Sequence, residues 1–329
     1  MNLKANRGSS DDLGEDALTH AAGGVDAIGA FAPFGEFDAS IESARAVGVD
    51  SGASLLKLSV RTKDDALHFA TWHSPAEERV LALLERLSPE RIGVTGCGAQ
   101  SLVARLSRPA ESLIEFDAWG RGANELLART GVDVTAPYLL VSIGTGTSAL
   151  RVEGDRVERL GGTALGGGTA LGLGLALTGC RTHEELAALA ARGERGSVDL
   201  LIGDIYGELE IPLAAQATAA SFGKLARGLL DRADAAAEPA AAAPTEGLPA
   251  REDLAAAVMG LVAENIALLS PAQALAAGVT RIVYGGSTLH ANPRLVDTVR
   301  LLAGVMGLEA IVLPHSGHAG ALGAMLLSE

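Results

Sequence analysis

Cysteine is scarce in this chain of 329 residues: there are two, Cys97 and Cys180, and they lie far apart in the sequence. Two isolated thiols supply neither a four-ligand metal site nor a disulfide framework, which excludes a small disulfide-stabilised secreted domain. A reducing compartment is therefore expected, and the sequence predicts a cytoplasmic protein. Aromatic residues make up only 3% of the chain, so we expect a core of small aliphatic side chains.

Positive charge is also in short supply, with 26 Lys and Arg against 40 Asp and Glu, a net charge of -14. A nucleic-acid surface needs clustered Lys and Arg, so no nucleic-acid partner is expected. Residues 1–20 lack the apolar segment of a secretory signal. Residues 160–180 are uncharged, but they are too rich in glycine for a good membrane-spanning helix. We therefore expect no membrane association.

The chain has no GxxxxGK[ST] motif, which disfavours a P-loop NTPase. It has instead 41 glycines, and its length allows about two domains of roughly 150 residues each. Residues 1–45 show no sustained period and are predicted to form a mobile extension. Residues 233–249 are of low complexity, rich in Ala, Pro and Glu, and are predicted to form a surface loop.

Strand and helix patterns alternate from Ala46 onward. Strands are predicted at residues 47–49, 55–60, 91–95, 138–143, 281–284 and 310–313. Helices are predicted at residues 117–130, 184–192, 253–269, 295–305 and 319–327. This alternation is typical of α/β proteins and predicts a mainly parallel sheet in each half of the chain.

One strand–turn–strand pattern occurs twice. Residues 49–57 read VDSGASLLK and residues 143–151 read IGTGTSALR, an offset of 94 residues from Asp50 to Gly144. A chance match of two β-hairpins would explain either pattern alone, but together they favour an internal duplication. The sequence thus predicts two related domains, residues 46–137 and 138–329, whose turns face each other and bind a polyphosphate.

Phosphoryl transfer needs backbone amides around the phosphates, a metal anchor and a group that orients the nucleophile. The turns at residues 51–54 and 144–148 offer amides and hydroxyls. Asp50 ends a predicted strand, where it could hold Mg²⁺ directly or through water. Residues 166–169 enter a helix and would direct its positive dipole at phosphate or ribose. Dinucleotide-binding proteins use similar glycine-rich turns, so these features alone do not decide the fold.

Eight short motifs follow one another along the chain: VGVDSGAS (47–54), TGCGA (95–99), EFDA (115–118), IGTGTS (143–148), RLGGTALGGGT (159–169), DIYG (204–207), SFG (221–223) and HSGHAGALGA (315–324). In this order they resemble the motifs of type II pantothenate kinases, from about Val47 to the C-terminus. The resemblance implies an α/β fold of duplicated actin-like (ribonuclease H-like) domains, with ATP bound in the cleft between them. It also implies a homodimer that phosphorylates the terminal hydroxyl of pantothenate, the first step of coenzyme A synthesis.

The resemblance implies roles for single residues. Glu115 matches the catalytic base of the family, and Arg159 matches the arginine that meets pantothenate or the transferring phosphate. Without the resemblance, Glu115 would be an ordinary helix N-terminal carboxylate and Arg159 a solvated charge. The apolar neighbours Ile114 and Phe116 could raise the pKa of Glu115. The residues expected to bind ATP and Mg²⁺ are Asp50 (also the metal ligand), Ser51, Gly52, Ser54, Lys57, Thr145, Gly146, Gly167, Gly168, Thr169, His183 and Ser287.

The first loop departs from the family pattern D-x-G-G-T, because Ala53 stands in place of Gly and Ser54 in place of Thr. Since Ala53 has a Cβ, the turn must hold ordinary backbone dihedrals. Cys97 replaces a glycine and is interpreted as a packing residue. These departures leave open a catalytically weak paralogue that senses a nucleotide or acyl-CoA.

Two other kinds of protein with this fold are alternatives to a pantothenate kinase. A kinase for a related small hydroxyl substrate, such as an N-acetylhexosamine or a glycerol-type sugar, would need its own sugar-binding motifs. An ATPase that activates a dehydratase would need bridging cysteines for an iron–sulfur cluster, to which Cys97 and Cys180 are poorly suited. Coenzyme A or acyl-CoA remains a possible inhibitor in the kinase interpretation.

Overall fold

The first half of the chain folds around a five-stranded sheet in a computed structural model that describes residues 41–206, 215–235 and 248–329. Its strands are β1 (Ala46–Ser51), β2 (Leu55–Arg61), β3 (Leu67–His73), β4 (Arg91–Thr95) and β5 (Glu111–Ser112), in the order β3-β2-β1-β4-β5. The helices of this half are α1 (Glu77–Leu87), α2 (Ala99–Arg105) and α3 (Glu115–Arg129).

The second half contains another five-stranded sheet and a small two-stranded one. The strands are β6 (Tyr138–Ile143), β7 (Thr147–Glu153), β8 (Arg156–Thr163), β9 (Leu200–Leu201), β10 (Thr218–Ala220), β11 (Arg281–Gly285) and β12 (Glu309–Val312). The helices are α4 (Gly167–Thr178), α5 (His183–Ala190), α6 (Ile202–Tyr206), α7 (Gly223–Ala235), α8 (Arg251–Ala276), α9 (Pro293–Val305) and α10 (Ala319–Ser328). The large sheet has the order β12-β11-β6-β7-β8, and β9 pairs with β10.

The two large sheets have the same topology, which supports the predicted duplication. In each sheet, two antiparallel pairings come first along the chain: β1–β2 and β2–β3 in the first sheet, and β6–β7 and β7–β8 in the second. Two parallel pairings follow: β1–β4 and β4–β5 in the first sheet, and β6–β11 and β11–β12 in the second. The prediction of mainly parallel sheets was therefore wrong, because three strands of each sheet form a meander with no helix between them. β3 was not predicted at all.

The predicted alignment of the two hairpins is shifted by two residues. The last paired residues before the turn are Ser51 and Leu56 in the first hairpin and Ile143 and Thr147 in the second. Ser51 therefore corresponds to Ile143, an offset of 92 residues rather than 94. The sequence comparison missed this because it aligned Ser54 with Ser148, whereas Ser54 lies in the first turn and Ser148 lies in the strand after the second turn.

Two predicted segments lie largely outside the described residues. Of the predicted extension at residues 1–45, only residues 41–45 are described. Ile41 and Ala44 are buried there, and the Arg45 N–H donates to the Arg61 carbonyl, so this end of the extension packs on the first sheet. Of the predicted loop at residues 233–249, residues 233–235 end α7 and residues 236–247 are outside the described part.

Among the described residues, the buried apolar side chains form three large clusters and a small fourth one around Val198, Leu254 and Ala257. One lies between the first sheet and α1 and α2, and another lies between the second sheet and α4, α5, α8 and α9. The third is central and contains Trp119, Tyr138 and Leu322. Here α3 crosses α10, and the crossing depends on Gly122 and Gly323. A Cβ added to either would overlap a backbone carbonyl of the other helix.

The last helix therefore belongs structurally to the first sheet, since α10 packs on β1 and β4. We keep residue 137 as the proposed domain boundary, with α10 returning to the first domain. Among the described residues, α8 is long and apolar enough to cross a membrane, but 67% of its most apolar window is buried inside the protein. Its packing is that of a core helix.

Candidate active site

Two cavities meet in the cleft between the sheets. The histidine cavity, named for His73, His183 and His290 in its wall, has a volume of about 480 Å³. The carboxylate cavity, named for Asp50 and Glu115, has a volume of about 550 Å³. Both are lined by Gly52, Ala53, Lys57, Gly144 and Thr145, residues of the two predicted turns and the strand that follows the first. The duplicated turns therefore form the junction of the two cavities.

The two turns touch each other at this junction. The Ser54 hydroxyl lies 2.9 Å from the Thr145 hydroxyl, within hydrogen-bond distance. Ala53 lies beside Ser54 without a positive φ, so the dihedrals of the turn are ordinary, as predicted. Gly146 also lacks a positive φ, and it lines the carboxylate cavity rather than the histidine cavity.

The second turn is fixed by the start of α4. The Gly167 N–H donates to the Gly144 carbonyl at 2.7 Å, and the Gly168 N–H donates to the Thr145 carbonyl at 2.9 Å. A Cβ on Gly168 would lie 2.8 Å from the Thr145 side chain. These two amides of the expected cradle at residues 166–169 are therefore already engaged within the protein. Gly167 and Gly168 instead let α4 approach the turn closely and form part of the cavity wall.

Lys57 and Asp50 form a buried ion pair at the floor of the cleft. Their Nζ and Oδ2 atoms are 3.2 Å apart, and the side chains are 9% and 4% exposed. The Lys57 ammonium also lies 5.8 Å from the centre of the Trp119 ring. Since the two residues face each other on β1 and β2, the strand register produces the pair. Lys57 is thus a fixed cation between the two cavities rather than a surface lysine.

Glu115 begins α3 and faces the carboxylate cavity. Partial burial raises the pKa of this carboxyl, and the nearby Asp50 charge raises the pKa further, while Lys57 opposes the shift. A carboxylate with a raised pKa at a cavity wall is a suitable general base.

Arg159, on β8, lines the same cavity. Its guanidinium is 5.7 Å from the centre of the Phe116 ring, the residue that follows Glu115. A β-bulge interrupts the pairing of β7 and β8 beside it, so that Leu150 pairs with Arg159 and Ala149 with Gly161. No ion pair of Arg159 is present among the described residues, which leaves the guanidinium available for an anion.

Not every predicted residue lines a cavity. Ser51 is buried, and its hydroxyl faces Gly98 instead of the cleft. The Thr169 hydroxyl donates to the Ala164 carbonyl and supports the loop before α4. Ser54, His183 and Ser287 do line the histidine cavity. The His183 ring nitrogen Nε2 lies 3.0 Å from the Thr288 carbonyl, and burial lowers the pKa of this imidazole.

Several other lining residues were not predicted as site residues. They are Thr71, Trp72, His73, Leu171, Arg181, Thr182, Glu184, Thr288 and His290 in the histidine cavity, and Trp119 and Ser142 in the carboxylate cavity. The corrected duplication would have identified Ser142. Ser142 pairs with Ser148 at the position where Asp50 pairs with Lys57 in the first hairpin. The first hairpin thus carries an ion pair at this position, and the second hairpin carries two serine hydroxyls.

No group of three or more metal-ligating side chains is present among the residues that the structure describes. Mg²⁺ at phosphates needs only one or two carboxylates, because phosphate oxygens and waters complete its shell. Asp50 is buried at the cavity junction with Glu115 nearby, and this donor set fits Mg²⁺ of that kind. Cys97 is exposed and Cys180 is buried, and both thiols are free.

Solved structures with the same fold bind nucleotide analogues in their crystals. The activator of 2-hydroxyisocaproyl-CoA dehydratase from Clostridium difficile, with bound ADPNP, aligns over 86% of this chain and 93% of its own, with 16% identity and a TM-score of 0.54. A ROK family glucokinase from Streptomyces griseus, with glucose and AMPPNP, aligns over 86% and 98%, with 12% identity and a TM-score of 0.52. At such identities the likeness shows the fold alone, and it confirms the predicted actin-like fold.

Sequence relatives are more specific. The family model described as Fumble matches residues 123–327. The type II pantothenate kinase of Staphylococcus aureus (strain USA300) is 30% identical over 283 residues, which cover 86% of this chain and 99% of the relative. This chain belongs to the type II pantothenate kinase family.

Proposed function

We propose that this protein is an ATP:pantothenate 4'-phosphotransferase, which converts pantothenate to 4'-phosphopantothenate in the first step of coenzyme A synthesis. The observation that supports the proposal most is the junction of two cavities at the duplicated turns, with Lys57 between them. Family membership supplies the acceptor. ATP would occupy the histidine cavity with its phosphates toward the junction, and pantothenate would occupy the carboxylate cavity.

The reaction follows from these positions. The terminal hydroxyl oxygen of pantothenate attacks the γ-phosphorus, and the bond from that phosphorus to the β,γ-bridging oxygen breaks and releases ADP. Glu115 accepts the hydroxyl proton, a role that its raised pKa favours. Lys57, already fixed beside Asp50, offsets negative charge on the phosphates. Ser54 and Thr145 offer hydroxyls to the same phosphates from both sides.

Arg159 gives the acceptor its orientation in this proposal. Its guanidinium can bind the carboxylate of pantothenate or the transferring phosphoryl group in a bidentate manner. The Ser142–Ser148 pair lines the same cavity and can hydrogen-bond the amide or a hydroxyl of the acceptor. His183 stands at the far end of the histidine cavity, where the base of the nucleotide would lie.

Mg²⁺ is the proposed metal, with Asp50 as its protein ligand, directly or through water. When bound it would neutralise charge on the phosphates. Asp50 would then share its carboxylate between the metal and Lys57. A test with a readout other than turnover is MgATP-dependent thermal protection, which Asp50→Asn should weaken much more than protection by ATP alone.

The cellular setting is proposed from the family resemblance. We infer a cytoplasmic homodimer without membrane or nucleic-acid partners, for which coenzyme A or acyl-CoA is a candidate inhibitor. The net charge of -14 supports the absence of nucleic acid. Ile205, Tyr206 and Leu230 on α6 and α7 are large exposed apolar side chains and are candidates for the dimer contact.

The direct test is product formation with a panel of acceptors. Purified protein, ATP and Mg²⁺ are incubated with pantothenate, glucose, N-acetylglucosamine or glycerol, and products are identified by mass spectrometry. We expect phosphorylated pantothenate and no phosphorylated sugar. Protein that is protected by ATP but phosphorylates none of these acceptors would favour the nucleotide-sensing alternative, and a phosphorylated sugar would favour a different kinase.

A further inference from the structure

A short turn between β12 and α10 contacts a wall of the histidine cavity from each half of the protein. This 3₁₀ turn, Ser316–His318, is buried beneath the cleft. On the side of the second half, the Ser316 hydroxyl donates to the Gly286 carbonyl at 3.2 Å, directly before Ser287 in the cavity wall. On the side of the first half, His318 Nε2 lies 2.9 Å from the Thr71 hydroxyl. The turn therefore fixes both walls relative to each other.

Thr71 is the cross-strand neighbour of Lys57. The register pairs Asp50 on β1 with Lys57 on β2, and Lys57 with Thr71 on β3. Residues directly opposite one another in a sheet point to the same face, with Cβ atoms about 5 Å apart. Asp50, Lys57 and Thr71 thus form one row across three strands beneath the cavity junction. His318 contacts the end of this row.

His318 is held rigidly in this position. It is completely buried, and its ring stacks on Phe69 with 4.9 Å between ring centres. Burial lowers the pKa of His318 to about 3, and the nearby Lys57 charge adds to this shift, so the imidazole is neutral. A neutral imidazole offers one donor and one acceptor nitrogen, and it can fix the hydroxyl of Thr71 without competing with Lys57 for Asp50.

We propose that His318 is a positioning residue for phosphoryl transfer. It fixes the Thr71 hydroxyl beside Lys57, and Thr71 in turn keeps the Lys57 ammonium at the junction, where the phosphates of the nucleotide lie. Without this support, the flexible stem of Lys57 would still be restrained by its ion pair with Asp50, but no longer from the β3 side. The inference rests on the part of the proposed function that places ATP in the histidine cavity. It does not depend on which acceptor receives the phosphoryl group.

The contrasting explanation is that His318 only fills space behind β3. Both explanations predict a loss of thermal stability when His318 is replaced, so stability alone does not separate them. They differ in whether the hydroxyl of Thr71 matters. If His318 acts through Thr71, then removing the hydroxyl should reproduce the kinetic effect of removing the imidazole, and removing both should add little.

The test is a double-mutant cycle with Thr71→Val, His318→Phe and the double variant. Thr71→Val keeps the shape of the side chain, and it keeps the proposal testable if His318→Phe does not fold. Thr298→Val is the matched control, because that hydroxyl bonds within α9, far from the cleft. For each variant the KM for ATP, the KM for pantothenate, kcat and MgATP-dependent thermal protection are measured.

We expect each single variant to lose about tenfold in kcat/KM for ATP, the size of one hydrogen bond, with the KM for pantothenate unchanged. The kcat/KM for ATP of the double variant should be no lower than that of the more impaired single variant. Thr298→Val should have the same kinetic constants as the parent. Losses that multiply in the double variant, or Thr71→Val kinetics equal to the parent, would overturn the proposal.

A second readout separates this inference from the proposed function. If the parent protein transfers no phosphate to pantothenate, the proposed function fails. The thermal protection by MgATP can still be compared across the same variants. Reduced protection in both single variants, without further reduction in the double variant, would support the positioning role of His318 even then. Undiminished protection would contradict it.

Discussion

The hydroxyl of Ser54 lies 2.9 Å from the hydroxyl of Thr145, although the two residues are 91 positions apart in the chain. This contact joins the turns of two hairpins that occupy equivalent places in two sheets of the same topology. Both turns also line both cavities. A ligand that reaches the junction must therefore contact the two halves of the protein at once.

Damage to either turn should weaken binding of the same ligand. Ser54→Ala removes one hydroxyl of the contact, and Gly168→Val forces a side chain against Thr145. Both variants should lose MgATP-dependent thermal protection, which in the parent follows RT ln(1 + [L]/Kd). Ser107→Ala, an exposed serine that bonds Glu85, is the control. Full protection of a folded Gly168→Val protein would mean that the second turn takes no part in nucleotide binding.

Glu115→Gln should fold and bind both substrates but lose about 10²–10⁴-fold in kcat, because the amide cannot accept the hydroxyl proton. The variant should also be more stable than the parent at neutral pH. Because the pKa of Glu115 is higher in the folded protein than in the unfolded chain, the protonated carboxyl stabilises the folded state at low pH. This stabilisation is lost as the pH rises through the folded-state pKa, and at neutral pH the ionised carboxylate costs stability that the neutral Gln does not. Unchanged turnover on saturating pantothenate would remove Glu115 from the mechanism.

The same raised pKa makes a prediction for the pH dependence of activity. Glu115 must be ionised to act as a base, so kcat should fall on acidification, beginning at a higher pH than for an ordinary Glu. The residual activity of Glu115→Gln should lack this acid limb. Rates over pH 4–8 on a stable parent protein measure both. If kcat of Glu115→Gln falls at low pH in the same way as that of the parent, another group is responsible for the fall.

The sequence could predict those parts of the site that depend on residues close together in the chain. The hairpin turns, Glu115 at the start of a helix and the glycine-rich entry to α4 were all predicted, because each is a local pattern of strand, turn or helix start. Their convergence on one cleft followed from the duplication. The family resemblance gave the roles of Glu115 and Arg159, and those roles stay predictions.

Other features depend on pairings that no local pattern shows. The alignment of the duplicated hairpins was wrong by two residues because the matching serines, Ser54 and Ser148, lie in a turn and in a strand, which only the strand pairing shows. The strand β3 was missed, and with it the row from Asp50 to Thr71. The contact between Thr71 and His318 joins positions 247 residues apart, and the close crossing of α3 and α10 is visible only once the two glycines are opposed.

Arg159→Ala should affect the acceptor far more than the nucleotide. If its guanidinium binds an anionic group of pantothenate, the KM for pantothenate should rise by on the order of 10–100-fold, with little change in MgATP protection. Arg156→Ala on the same strand is the matched control, since Arg156 is largely exposed and pairs with Glu158. Equal effects of the two substitutions, or equal losses for both substrates, would place Arg159 outside the acceptor site.

The most direct measurement is a single-turnover experiment with ATP labelled in the γ-phosphate. Enzyme in excess over labelled ATP, with Mg²⁺, is mixed with pantothenate or with buffer, and the label is followed in each product. We expect the label to move to pantothenate in amounts equal to the ADP formed, and little inorganic phosphate to appear without pantothenate. Label released as inorganic phosphate at the same rate with and without pantothenate would contradict this expectation and show an ATPase instead.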